Sequence, residues 1–359
     1  MARLHFGSSK GQAKPKKVVG RLRKTQLVTT FGNGSIVDMP DYSVIIAGAN
    51  YWKDSSPVLH EPNLEKLLKV SHFKEPYVSN SQDDEMTPDV PAFRFPYYHF
   101  CPDPNCGKLM PYWGFGDEAD RSCANGHPKR SIVPSRFIAA CINGHLEDFP
   151  YEWWVHYGNF SECPADKRNG ALRISFSDET GGLDSIVIKC TACGKIRTMA
   201  GSMAKDALRG YSCRGKRPWL GSKKEYNDPV SCTAQLRTLQ RGASNVYFSM
   251  TASALTIPPW SSKVQQEISV NWERIEPVLA GKPDDSTLKI VVQAVFQPLL
   301  AMRICTVDEL ITEIKKRYND GDGGEYTKQN LLEDEYRVFC MGDYDNPEDI
   351  QFRIARATV

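Results

Sequence analysis

Nine of the eleven cysteines fall between residues 101 and 232, and their spacing is that of loops closed on zinc. Cys101-Pro-Asp-Pro-Asn-Cys106 and Cys190-Thr-Ala-Cys193 each lead one thiol into a turn and return a second, so two side chains can meet one tetrahedral ion. Cys123-Ala-Asn-Gly-His127 supplies a second knuckle, which makes Cys101, Cys106, Cys123 and His127 a first four-donor set. Gly107 and Gly126 stand where such turns call for positive φ. For Cys190 and Cys193 the remaining pair is expected to be Cys213 and Cys232, with Cys163 as the substitute for either. Between the two sets lies a copy of the second knuckle, Cys141-Ile-Asn-Gly-His145, followed by His156 and Cys163. Either these four hold a third ion, or Cys141 and His145 are structural and hydrogen-bond the turn beneath Trp153 and Trp154, so the count of zinc ions is two or three.

Such donors could also do chemistry. Glu147 and Asp148, beside Cys141 and His145, would suit a hydrolase in which an open zinc position activates water and a carboxylate takes its proton. Closed four-donor, cysteine-rich sets argue for structural zinc instead, because a catalytic ion keeps one position for water.

Basic residues interleaved with rings supply a second candidate chemistry. Arg214, Lys216 and Arg217 stand beside Trp219, a mixture that suits nucleic-acid backbone and base; Arg241 and Asn245 lie in a polar loop expected to face a cleft. Overall charge gives no such hint, with 45 basic against 43 acidic side chains. A free-standing zinc-ribbon DNA-binding protein is therefore the weaker alternative. Gly32-Asn33-Gly34 lacks the Gly-Lys-Ser/Thr of a phosphate loop and reads as a tight turn.

The elements that must position these residues read as an α+β chain in four parts. Residues 1–25 form a basic, mobile tail without the apolar core of a signal peptide. Residues 26–91 combine a short strand at Gln26 to Val28, a hairpin from Ile36 to Ala47 turning at Pro40 and Asp41, and a helix from Pro62 that packs on the hairpin. A polar, acidic linker at residues 79–91 closes that part, and residues 92–260 are the zinc-binding core of ribbon-like β modules. Residues 261–359 are helical: Ser262 caps one helix, Thr287 opens another that Pro298 breaks, Thr306 and Glu309 form a capping box, and a glycine link at 321–324 leads to a last helix. Cys305 and Cys340 are expected as core thiols. No apolar run reaches the roughly 18 residues of a membrane span, and Cys-x-x-Cys in an odd cysteine count fits a reducing, cytoplasmic setting.

Five ordered motifs carry a family resemblance: Leu27-Val-Thr-Thr-Phe-Gly-Asn-Gly-Ser-Ile-Val-Asp38, Val133-Pro-Ser-Arg-Phe137, Cys141-Ile-Asn-Gly-His-Leu-Glu-Asp-Phe-Pro150, Arg217-Pro-Trp-Leu-Gly221 and Leu239-Gln-Arg-Gly-Ala-Ser-Asn-Val-Tyr-Phe248. Over about residues 20–260 the chain resembles the DrmB family, zinc-containing accessory subunits of the bacterial anti-phage system DISARM. The resemblance implies a non-catalytic subunit that binds DrmA, a helicase-like ATPase, in a DNA-binding complex that works with a DNA methyltransferase against unmodified phage DNA. Family members run longer at the carboxy terminus, so the chain is expected to be a split or truncated form.

Overall fold

A computed structural model describes residues 2–6, 18–39, 42–52, 57–76, 90–115, 122–177, 181–221, 231–320, 326–340, 344–346, 349 and 352–353. The fold is α+β, in two compact units: residues 1–54 with 76–250, and residues 55–75 with 251–359. The expected turn at Pro40 and Asp41, most of the 79–91 linker and the glycine link at 321–324 lie outside the described residues.

The first unit opens with a five-stranded sheet in the order Val18–Leu22, Ala2–Phe6, Val90–Arg94, Ser43–Ile46, Ile36–Asp38. Three sequence expectations change here. The stretch expected as a mobile tail contributes two strands, because Ala2–Phe6 finds a parallel partner in Val90–Arg94 and Val18–Leu22 folds back on it. Nor does a boundary fall at residue 91, since Val90 and Ala92 are fully buried beside Val44 and Ile46 in one core. Lys24–Thr29 is a helix where a strand was expected. Its first turn is locked locally by the Gln26 side chain, which accepts from the Arg23 amide at 2.9 Å, and Leu27 is its buried anchor.

Three small antiparallel sheets follow. Tyr98–Phe100 lies between Val133–Pro134 and Leu109–Pro111; Phe137–Ala140 lies between Leu146–Asp148 and Arg237–Gln240; Ile186–Cys190 lies between Leu172–Phe176 and Ile196–Thr198. Their shared core holds Phe149, Tyr151, Trp154, Ile188 and Met199, all essentially without solvent contact. The buried Trp154 indole still satisfies its N–H, donating to the Thr198 carbonyl at 3.0 Å, while Arg197 stacks 3.3 Å above the ring.

The second unit is helical. Lys263–Val270, Trp272–Ala280, Asp285–Val295, Gln297–Ala301, Val307–Asp320 and Lys328–Phe339 follow one another, and a core of Ile268, Ile275, Val292, Leu310 and Ile314 joins several of them. Ser262 accepts from the Gln265 amide and Thr306 exchanges bonds with Glu309, as their spacing predicts. Asp284 rather than Thr287 caps the third helix, accepting from the Thr287 amide at 2.9 Å. The Pro62–Leu68 helix belongs to this unit and not to the hairpin, and Glu61 at its start accepts from Thr256 at 2.9 Å. Cys305 packs against the helical core, whereas Cys340 is exposed and not a core thiol. Among the described residues no helix is long and apolar enough to cross a membrane.

Candidate metal centres

Among the described residues, twelve potential ligand side chains gather into three groups of four, and within each group the donor atoms lie within 4.8 Å of one another. The first is Cys101, Cys106, Cys123 and His127. Cys101 leaves the end of Tyr98–Phe100, and the Asp103 carbonyl accepts from the amides of both Cys106 and Gly107 to close the knuckle. Gly107 has φ +50°, and a Cβ there would stand 2.1 Å from the Ile174 carbonyl oxygen, so the knuckle is pressed against strand Leu172–Phe176. Cys123 is held by the pairing of Ser122–Cys123 with Arg130–Ser131. The His127 Nδ1–H donates to the Pro128 carbonyl at 2.7 Å, which turns Nε2 toward Cys101 Sγ at 3.3 Å.

The second group is Cys141, His145, Cys213 and Cys232, and the third is His156, Cys163, Cys190 and Cys193. This corrects the expected pairing of Cys190 and Cys193 with Cys213 and Cys232. Sheet pairing, which sequence spacing does not encode, makes the choice. Arg237–Gln240 runs antiparallel beside Phe137–Ala140 and so delivers Cys232 to Cys141, with the sulfurs 3.9 Å apart. The Leu146 amide donates to the Lys216 carbonyl and anchors the loop bearing Cys213, whose sulfur is 3.8 Å from that of Cys141. His156 ends the short helix Tyr151–Val155, whose Trp154 packs in the core with Ile188 and Cys190. Its Nδ1–H donates to the Glu152 carbonyl, leaving Nε2 3.4 Å from Cys193 Sγ, while Cys163 and Cys190 sulfurs are 3.8 Å apart. In sequence the third group is nested between the two halves of the second.

These distances suit a tetrahedral ion. Thiolates about 2.3 Å from zinc at tetrahedral corners stand about 3.8 Å from each other, and the sulfurs that meet here are 3.8 to 3.9 Å apart. The thiols that meet are also perturbed, in opposite directions. Burial pushes the thiols of Cys101, Cys163 and Cys213 up to about 12. Cys232, with a hydrogen bond donated by the Ala234 backbone N–H foremost and help from Asn143 and His145, falls to about 6. Cys106 falls to about 7 because bonds from the Lys108 amide and His127 outweigh its burial. Each group therefore mixes a reluctant thiol with a readily ionised one or an imidazole, and a divalent ion would ionise them together.

Glu147 is in none of these groups. It is 3% exposed, and it accepts from the Arg214 amide at 3.2 Å and the Tyr211 hydroxyl at 3.3 Å. The second group already offers four protein donors without it.

Of the basic residues singled out by sequence, Arg241 is structural: its guanidinium pairs with Asp38 at 2.9 Å and donates to the Pro134 and Ser135 carbonyls. Arg214 lies over the Tyr211 ring and 4.0 Å from Glu147, and Lys216 faces the same cavity of about 330 Å³. Arg217 is half-buried at the start of the turn Pro218–Leu220. Trp219 and Asn245 instead line a larger cleft of about 1160 Å³; of the Arg241–Asn245 loop expected to face a cleft only Asn245 does so, followed along one side by Val246, Tyr247 and Phe248. Lys205, Arg209 and Arg237 line it as well; spacing gave no sign of them, because they come from separate stretches that meet only through the fold. The knuckle of the second metal group forms part of the wall through Cys141, Ile142 and Gly144.

Residues 23–248 match the family model described as a domain of unknown function (DUF8724), a span that contains every candidate ligand and the whole cleft. Over 238 residues the chain is 32% identical to the DISARM protein DrmB of Bacillus paralicheniformis. That match takes in 63% of this chain and 38% of the relative, so the chain spans about two fifths of the relative's length.

Proposed function

The chain belongs to the DUF8724 family, and from that premise we propose that it is a zinc-braced, non-catalytic subunit of a DISARM-type anti-phage complex. In this reading it works in the cytoplasm beside a helicase-like ATPase of the DrmA kind, contributes to DNA binding, and shares its system with a DNA methyltransferase. The observation that carries the reading is the 32% identity to DISARM protein DrmB over 238 residues. The four-donor groups support it chemically: three closed sets of cysteine and histidine brace a protein and leave no position for activated water. Zinc fits better than a hard cation because the donors are thiols and imidazoles with no carboxylate among them.

The deciding experiment is co-purification of the tagged chain from its host, with metal analysis and mass spectrometry of whatever accompanies it. A helicase-like ATPase and about three equivalents of zinc are expected. Recovery of the chain with neither would overturn the proposal.

A further inference from the structure

The 1160 Å³ cleft is charged and ringed in a manner that the metal groups do not explain. Three exposed cations, Lys205, Arg209 and Arg237, line it against one acid, Asp206, which pairs with Arg209 at 3.4 Å. Rings line it too: Trp219, Tyr247 and Phe248, the last 73% exposed. Trp219 is held firmly, its carbonyl accepting from the Gly48 amide at 2.8 Å and its ring lying against Gly34, where a Cβ would be 3.4 Å away. Gly34 has φ +83°, so the turn that grips the ring depends on a conformation glycine adopts freely.

We propose that this cleft takes single-stranded DNA, with phosphates on Lys205, Arg209 and Arg237 and unpaired bases on Phe248, Tyr247 and Trp219. The inference rests on the reading that the protein contributes to DNA binding, and it moves the contact from the Arg214–Lys216 turn to the cleft. Charge complementarity selects a polyanion. The rings select one with free planar faces: bases already stacked in a duplex cannot lie on rings set in a concavity, whereas a single strand can splay its bases onto them. Asn33 and Asn245, also on the wall, can hydrogen-bond base edges without demanding a sequence.

The test is fluorescence anisotropy of the zinc-loaded full chain with a labelled oligothymidine and with the same strand annealed to its complement, over a range of salt. Wild type should prefer the single strand. The triple change Lys205→Ala, Arg209→Ala, Arg237→Ala should weaken binding and lower the slope of log affinity against log salt by about 2, from about 0.7 per lost phosphate contact. Phe248→Ala, at an exposed position, should weaken the single strand by about 5- to 150-fold with the salt slope unchanged. If wild type binds DNA and both variants match it, the cleft is the wrong place while the DNA-binding reading stands. Wild type that binds neither strand nor duplex, even at low salt, sinks both. Duplex bound as tightly as single strand, or polyglutamate displacing the strand as well as unlabelled strand does, overturns the single-strand assignment.

Discussion

With zinc bound as proposed, a single thiol should matter more to stability than a single apolar side chain, because each candidate ligand belongs to a set of four. Serine at Cys101 or Cys190 is expected to remove about one equivalent of zinc and unfold the surrounding module, since metal-binding energy at such sites is folding energy. The same change at the exposed Cys340 should leave metal content and melting temperature unaltered. Metal analysis beside a thermal melt reads both; a Cys190→Ser protein that keeps all its zinc and its melting temperature would contradict the assignment. Asp148 gives a second handle. Its carboxyl is pushed up from 3.8 to about 6, by burial first, against opposing help from the Tyr98 amide and Lys216. An acid that holds its proton more tightly when folded stabilises the fold below about pH 4, and that contribution is lost as pH rises through about 6. A difference of about two pH units corresponds to about 3 kcal/mol. Asp148→Asn keeps an acceptor for the Tyr98 amide, so it should match wild type near pH 4 and exceed it by up to about 3 kcal/mol above pH 6. Comparing the two proteins at each pH cancels any metal loss they share; a gap that fails to widen between pH 4 and 6 counts against the buried charge.

At the scale of elements, the knuckles differ in how tightly they are docked. Gly107 and Gly144 both have positive φ, but a Cβ at Gly107 would strike the Ile174 carbonyl while one at Gly144 meets nothing within 4 Å. Gly144→Ala should therefore cost about 1–2 kcal/mol, the strain of a left-handed residue, and Gly107→Ala distinctly more, because the strand beneath must also move. Denaturant titration of the two variants distinguishes them, and equal losses would mean that the first knuckle is not seated on Leu172–Phe176. The same contrast of local and distant explains what was legible in the sequence. Ser262 and Thr306 announced their helices because a cap and its amide lie three residues apart. The first metal group was legible because its ligands span only residues 101–127. The second and third were exchanged because their partners are chosen by strand pairing between residues about a hundred positions apart, such as Ile138 with Leu239. Val90–Arg94 was misplaced for the same reason: the strands it joins lie far back in the chain.

For the whole molecule, all the candidate ligands lie in the first unit, while the helical unit closes its own core of Ile268, Ile275, Leu310 and Ile314 without any of them. Chelation in mild denaturant should thus melt the sheets, expose the Trp154 core and abolish cleft binding, yet leave most of the helical circular dichroism in place. Parallel loss of the helical signal would show that the helical unit needs the metal-bearing one. The nesting of the third group inside the second reaches beyond stability. A ribosome delivers the chain from residue 1 onward, so the first group is complete at His127 and the third at Cys193, whereas Cys141 and His145 must wait for Cys213 and Cys232. Until Cys213 is made the second group is a two-donor claw on a growing chain, and it lacks its fourth donor until Cys232. It is therefore the place where the wrong ion, or an oxidant, has longest to act before the protein is finished.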